Sequence, residues 1–273
     1  MTHSRATERR TWRPELAVAL SLFAVWTIAT WLLEGRIDTL LRPEAVVDRV
    51  IYAIVANLLI GIAVAMALLA MLIRKGWLTR QAAGFGRFTP SAMRLTTASG
   101  LGLAIYMLQG TPSLEPVVLL NAFSQVLVVS AAEVVVCWAV VGATVEALLK
   151  PHGRVVSAVG AAFAASVLFG LYHYAHSAPF NTPGMVALLS VVGLVTSAFF
   201  FIARDVYATI IFHNFLGVFG VVQALAASGQ LSAFADLQPP LLIMAGATVA
   251  VLVLADRVLL RRGATTGDVT SDN

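Results

Sequence analysis

Residues 116–149 read PVVLLNAFSQVLVVSAAEVVVCWAVVGATVEALL. One carboxylate, Glu133, interrupts this run of Val, Leu and Ala, and its flanks offer no nearby basic residue. A carboxylate in hydrocarbon is costly and by default marks a function. As one helix the stretch would be roughly 50 Å long, against a hydrocarbon core of about 30 Å. It reads as a membrane helix that runs out of the bilayer at one end. Glu146 stands near that end with Lys150 four residues on, the ordinary ion pair of a wet helix surface.

The rest of the chain has the same character. Of its 273 residues, 59% are hydrophobic and 12% charged, about half the charged fraction of a soluble domain. Apolar runs of spanning length fall at 16–33, 50–73, 94–109, 116–149, 154–175, 185–203, 206–227 and 240–260. The expected fold is all-α, a polytopic membrane protein of about eight transmembrane helices. The third run is the shortest full-span candidate. The first is too long for a signal-peptide core and no small-x-small site follows it, so it reads as retained. Arg204-Asp205 must be a turn, because a single helix over 185–227 would overrun the membrane; Asp205 suits an N-cap. The domain limits are a tail at 1–14, one membrane domain at 15–262 and a disordered tail at 263–273. Residues 76–92, with Trp77, Phe85 and Phe88 among basic residues, read as an interfacial connection or a gate lying on the headgroups.

Basic residues alternate between the two sides of this arrangement. Fifteen Lys and Arg fall in the tails and the second, fourth and sixth connections, and three (Arg36, Arg42, Arg49) on the other side. The rich side is cytoplasmic by the positive-inside rule, which places both termini there. The net charge of +4 therefore reports topology and gives no nucleic-acid signal. Cys137 is the single cysteine, so no internal disulfide forms. Lysine occurs only at 75 and 150, which hints at a GC-rich bacterial genome and hence a bacterial plasma membrane.

Two histidines join Glu133 as candidates for chemistry: His173 in FGLYHYAH and His213 in ATIIFHNFLGVFG. Neutral imidazole serves as acid, base or metal ligand. His176, one turn on from His173, reads as an interfacial polar residue before Pro179, and Asn214 stands beside His213. Counted along the helices from Arg154 and Asp205, His173 would be about 28 Å deep and His213 about 12 Å. The two meet only if the fourth and fifth helices project into the cytoplasm as a hairpin around Glu146, Lys150, His152 and Arg154. Glu133, His173 and His213 then share one level, nearer the cytoplasm.

This pattern resembles the CPBP family, the CAAX-processing and bacteriocin-immunity group of intramembrane proteases, over residues 117–220. That family carries Glu-Glu-x-x-x-Arg, then Phe-x-x-x-His, then His-x-x-x-Asn or Asp. Phe169 to His173 matches the second motif in full and His213 the start of the third. With Glu133 as the first glutamate, Val134 and Trp138 stand where the second glutamate and the arginine are expected; with Glu133 as the second, those positions are Ala132 and Cys137. Gly217 stands in place of the Asn or Asp. The resemblance implies that Glu133 activates a water, with His173 and His213 orienting it or stabilising the oxyanion. Phe169, His176 and Asn214 would support them. Glu133, His173 and His213 could hold one divalent metal, Zn by its ligand set, and a metal-free glutamate mechanism uses the same groups. The implied substrate is a membrane-embedded or lipidated peptide, met within the lipid bilayer. A catalytically inactive scaffold or immunity-type binding protein of the same fold is the alternative. A transporter fits less well, since no inverted repeat is visible.

Overall fold

A computed structural model describes residues 13–42, 44–86, 92–110 and 112–261. The tails expected at 1–14 and 263–273 lie almost wholly outside it, as does Phe88. The described residues form helices and no strand. We number the long ones α1 (Pro14–Gly35), α2 (Val46–Arg74), α3 (Ala92–Leu108), α4 (Pro116–His152), α5 (Arg154–Ala175), α6 (Pro183–Ala203), α7 (Val206–Ala227) and α8 (Pro239–Arg261). Seven of them, all but α3, are long and apolar enough to cross a bilayer. The protein is an all-α, multi-pass membrane protein. The third predicted span is α3, a helix of 17 residues that lies along α7, with Phe215 filling the space a side chain on Gly102 would need.

Helix α4 is the axis of the bundle. Every residue from Ser130 to Thr144 is buried, which explains a run apolar on all sides: a helix with no wet face has nothing to gain from a polar stripe. Helices α1, α2, α5, α7 and α8 pack around it. Its turns widen to π-type hydrogen bonding over Val134–Gly142, directly after Glu133; such turns are frequent at functional sites. Close approach to α2 depends on Gly61, where an added Cβ would stand 2.5 Å from the Cβ of Ala132.

Helix starts follow local chemistry. Glu115, Thr182 and Asp205 each accept a hydrogen bond from a backbone N–H of the first turn, Asp205 from Ala208 at 3.1 Å. The predicted Arg204-Asp205 turn is present, with Arg204 in the left-handed region at φ 50°. Glu146 corrects its sequence reading. Its carboxylate is held by both guanidinium nitrogens of Arg204, one at 2.6 Å, rather than by Lys150. Beyond that pair α4 runs on for six residues to His152, roughly 9 Å of helix, before α5 begins at Arg154. Phe85 also departs from expectation. It is fully buried against Tyr207, and Gly84 accepts a hydrogen bond from Val206 N–H. This part of the 76–92 connection is docked onto the bundle and does not lie on a surface.

Candidate active site

Glu133, His173 and His213 come from three helices and meet inside the bundle. Glu133 Oε2 is 3.0 Å from His213 Nε2 and Glu133 Oε1 is 3.7 Å from His173 Nε2. All three residues are buried. Helix α7 places His213 about 12 Å from its start at Asp205, while α4 places Glu133 roughly 20 Å from Glu146. The site lies within the helix bundle, and α5 ends at it.

Each imidazole is anchored through its other nitrogen. His173 Nδ1–H donates to the Phe169 carbonyl at 2.8 Å. His213 Nδ1 is 2.9 Å from Thr196 Oγ1, whose hydroxyl donates to the Val192 carbonyl. With both Nδ1 positions occupied by N–H, both Nε2 atoms turn to the carboxylate. The 3.0 Å contact between His213 and Glu133 then needs one further proton, on the ring or on the carboxylate. Aromatic rings close the surroundings. Phe169 packs edge-on against His173 and His213, and Trp138 packs at 5.3 Å from His213. These walls bury the site, where electrostatic contacts are stronger than in bulk water.

The positions that depart from the family motifs have physical explanations. Trp138, where arginine was expected, donates Nε1–H to Ser197 Oγ at 2.7 Å and is fully buried. Gly217 faces Val126: a Cβ there would lie 2.6 Å from Val126 Cγ1, so Asn or Asp at this position requires the α4–α7 contact to shift. Asn214 does not reach the carboxylate. Its side-chain amide donates to the Phe123 carbonyl at 3.2 Å.

His176 is buried, with 3% of its surface exposed, and so is not the interfacial residue the sequence suggested. It follows a tight turn at the end of α5 and stands 3.0 Å from a carboxylate the sequence reading passed over, Glu34 at the end of α1. The signal was available: Glu34 directly follows the apolar run that ends at Leu33, inside spanning distance. A donor atom from each of Glu133, His173 and His176 lies within 4.8 Å of the others. These three, more than the set with His213, are grouped as metal ligands would be.

The four residues Glu133, His173, His176 and His213 line a cavity of about 100 Å³, room for about three waters at ~30 Å³ each. Gln125 and Leu40 form part of its wall and of a neighbouring cavity of about 310 Å³ bordered by Arg49 and Tyr52. Gln125 Nε2–H donates to the Leu40 carbonyl at 3.0 Å, tying the connection after α1 to α4 between the two spaces.

The chain matches no protein-family model, no curated protein and no solved structure. The functional reading therefore rests on the site alone.

Proposed function

We propose that the protein is an intramembrane endopeptidase of the CPBP type, hydrolysing a peptide bond of a membrane-embedded or lipidated substrate. The observation that carries this reading is a buried carboxylate bracketed by two anchored imidazoles, at 3.0 and 3.7 Å, on the wall of a cavity large enough for water. Glu133 takes a proton from a water, whose oxygen attacks the scissile carbonyl carbon. His173 and His213 hold the water and the developing oxyanion. The carbon–nitrogen bond then breaks and Glu133 returns the proton to the leaving amine. Such general acid–base transfer is worth about 10²–10⁴ in rate. The excess of basic residues in alternate connections supports cytoplasmic termini, and the arginine-rich composition a bacterial plasma membrane.

Trp138 favours a second reading. An indole at the place of an expected arginine removes a charge partner of the carboxylate, which suits a binding scaffold that keeps the fold without the reaction. Cleavage of a reporter membrane peptide by the purified protein, lost in Glu133→Gln, supports the hydrolase; function in cells that survives Glu133→Gln, His173→Ala and His213→Ala together supports the scaffold.

A further inference from the structure

The hydrolytic steps leave Glu34 and His176 unused, yet both are among the most buried polar groups in the bundle. The Glu34 carboxylate accepts the Ser177 N–H at 3.0 Å and the Ser177 hydroxyl. His176 Nδ1 is paired with Glu34 Oε2 at 3.0 Å, while Nε2 has no hydrogen-bond partner. A buried imidazole with an unsatisfied nitrogen is costly. It faces the cavity, with a nitrogen within 4.8 Å of donor atoms on Glu133 and His173.

We infer that Glu133, His173 and His176 bind one divalent transition-metal ion of the Zn²⁺ class, with Glu34 as the carboxylate that aims His176. The inference rests on the hydrolase reading for the ion's purpose, though not for its binding. Two imidazoles and a carboxylate form a donor set suited to Zn²⁺, and three protein ligands leave the fourth position open. Ligating histidines donate their second N–H to a carboxylate or carbonyl, and ligating carboxylates are themselves hydrogen-bonded. Every member here has such a partner: Phe169 O for His173, Glu34 for His176, and His213 on the second oxygen of Glu133. Tetrahedral donors 2.0–2.1 Å from an ion stand about 3.3 Å apart. The Glu133–His173 pair, at 3.7 Å, is close to that, and the donor atoms of all three residues lie within 4.8 Å of one another. His213 is thereby a positioning residue, since it occupies the oxygen of Glu133 turned away from the ion. This ligand set differs from the one implied by the motifs, which had His213 where His176 stands. With the ion bound, Glu133 would serve as a ligand and not as the free base, and the ion itself would activate a water at neutral pH and polarise the carbonyl.

The test is cobalt binding to the full-length protein in detergent or nanodiscs, after stripping with a chelator. Titrated Co²⁺ is followed by its visible absorption and displaced with Zn²⁺. The wild type is expected to bind one ion with a tetrahedral spectrum. His176→Ala should weaken binding about 100-fold or more. Glu34→Gln, which preserves volume, should weaken it about 10- to 100-fold. His152→Ala, on the exposed hairpin tip, should have no effect. Thermal unfolding checks that each variant is folded. Absence of saturable binding by the wild type overturns the inference, as does wild-type affinity in folded His176→Ala. Undiminished peptide cleavage after chelation overturns the ion while leaving the glutamate hydrolase intact. One tightly bound ion without cleavage of any reporter supports the ion site and counts against the hydrolase.

Discussion

The contact between α2 and α4 makes the most quantitative prediction. Gly61 lies against Ala132, the residue before Glu133, and a Cβ at position 61 would stand 2.5 Å from the Ala132 Cβ and 3.0 Å from Trp26 Nε1. Ordinary contact begins at 3.4 Å, so Gly61→Ala requires the two backbones to part by about 1 Å. Small residues at membrane-helix contacts permit just such close approach, and packing is a main force that joins the helices there. Overpacking of this kind costs about 1–3 kcal/mol, a fall of about 2–10 °C in unfolding temperature for a chain of this size. The same displacement moves Glu133 relative to His213, and a 1 Å misplacement of reacting groups costs about 10² in rate. The assay pairs thermal unfolding in detergent with reporter-peptide cleavage. Gly61→Ala with Ala132→Gly removes the nearest clashing atom and should recover most of both losses, the signature of a direct pair in a double-mutant cycle. Gly246→Ala, where a Cβ meets nothing within 4 Å, is the control and should be neutral or slightly stabilising. A Gly61→Ala protein as stable and active as wild type refutes the reasoning; so does a double variant no better than the single.

Other outcomes follow from the described contacts. Arg204→Ala should lower stability by about 1–2 kcal/mol, since the Glu146 partner is only partly exposed; Lys150→Ala should change it by less than about 0.5 kcal/mol, and equal effects in thermal unfolding would restore Lys150 as the partner of Glu146. Trp138→Arg, although it matches the family motif, should reduce folded yield and unfolding temperature. It breaks the Ser197 hydrogen bond and puts a cation into a fully buried space, at a cost of several kcal/mol. A stable, more active Trp138→Arg protein would contradict this. Chelation and Co²⁺ binding test the ion site as set out above.

Much of the fold was legible because membrane helices declare themselves by length and composition. The Arg204-Asp205 turn was found without Gly or Pro, from helix length and a capping aspartate. The meeting of Glu133, His173 and His213 could be anticipated from rise per residue once the α4–α5 hairpin was allowed to extend beyond the other helix ends. Partners across helices were not legible. Glu146 was assigned to Lys150 because only local spacing is visible in sequence, whereas the bidentate contact to Arg204 comes from 58 residues away. Glu34 was missed, and His176 was read as interfacial, for a related reason. Both lie at helix ends, where a polar residue ordinarily meets water, and only the packing of α1 against the end of α5 buries them together. Phe85 shows the converse: an aromatic among basic residues resembles an interfacial anchor until the chain around it is seen docked under α7.

The central claim is that Glu133 is the base of a peptide-bond hydrolysis. Its most direct test is the initial rate of reporter membrane-peptide cleavage by purified Glu133→Gln protein, shown by thermal unfolding to be folded. The account predicts a fall of about 10²–10⁴ or more relative to wild type, while cleavage at the wild-type rate would contradict it.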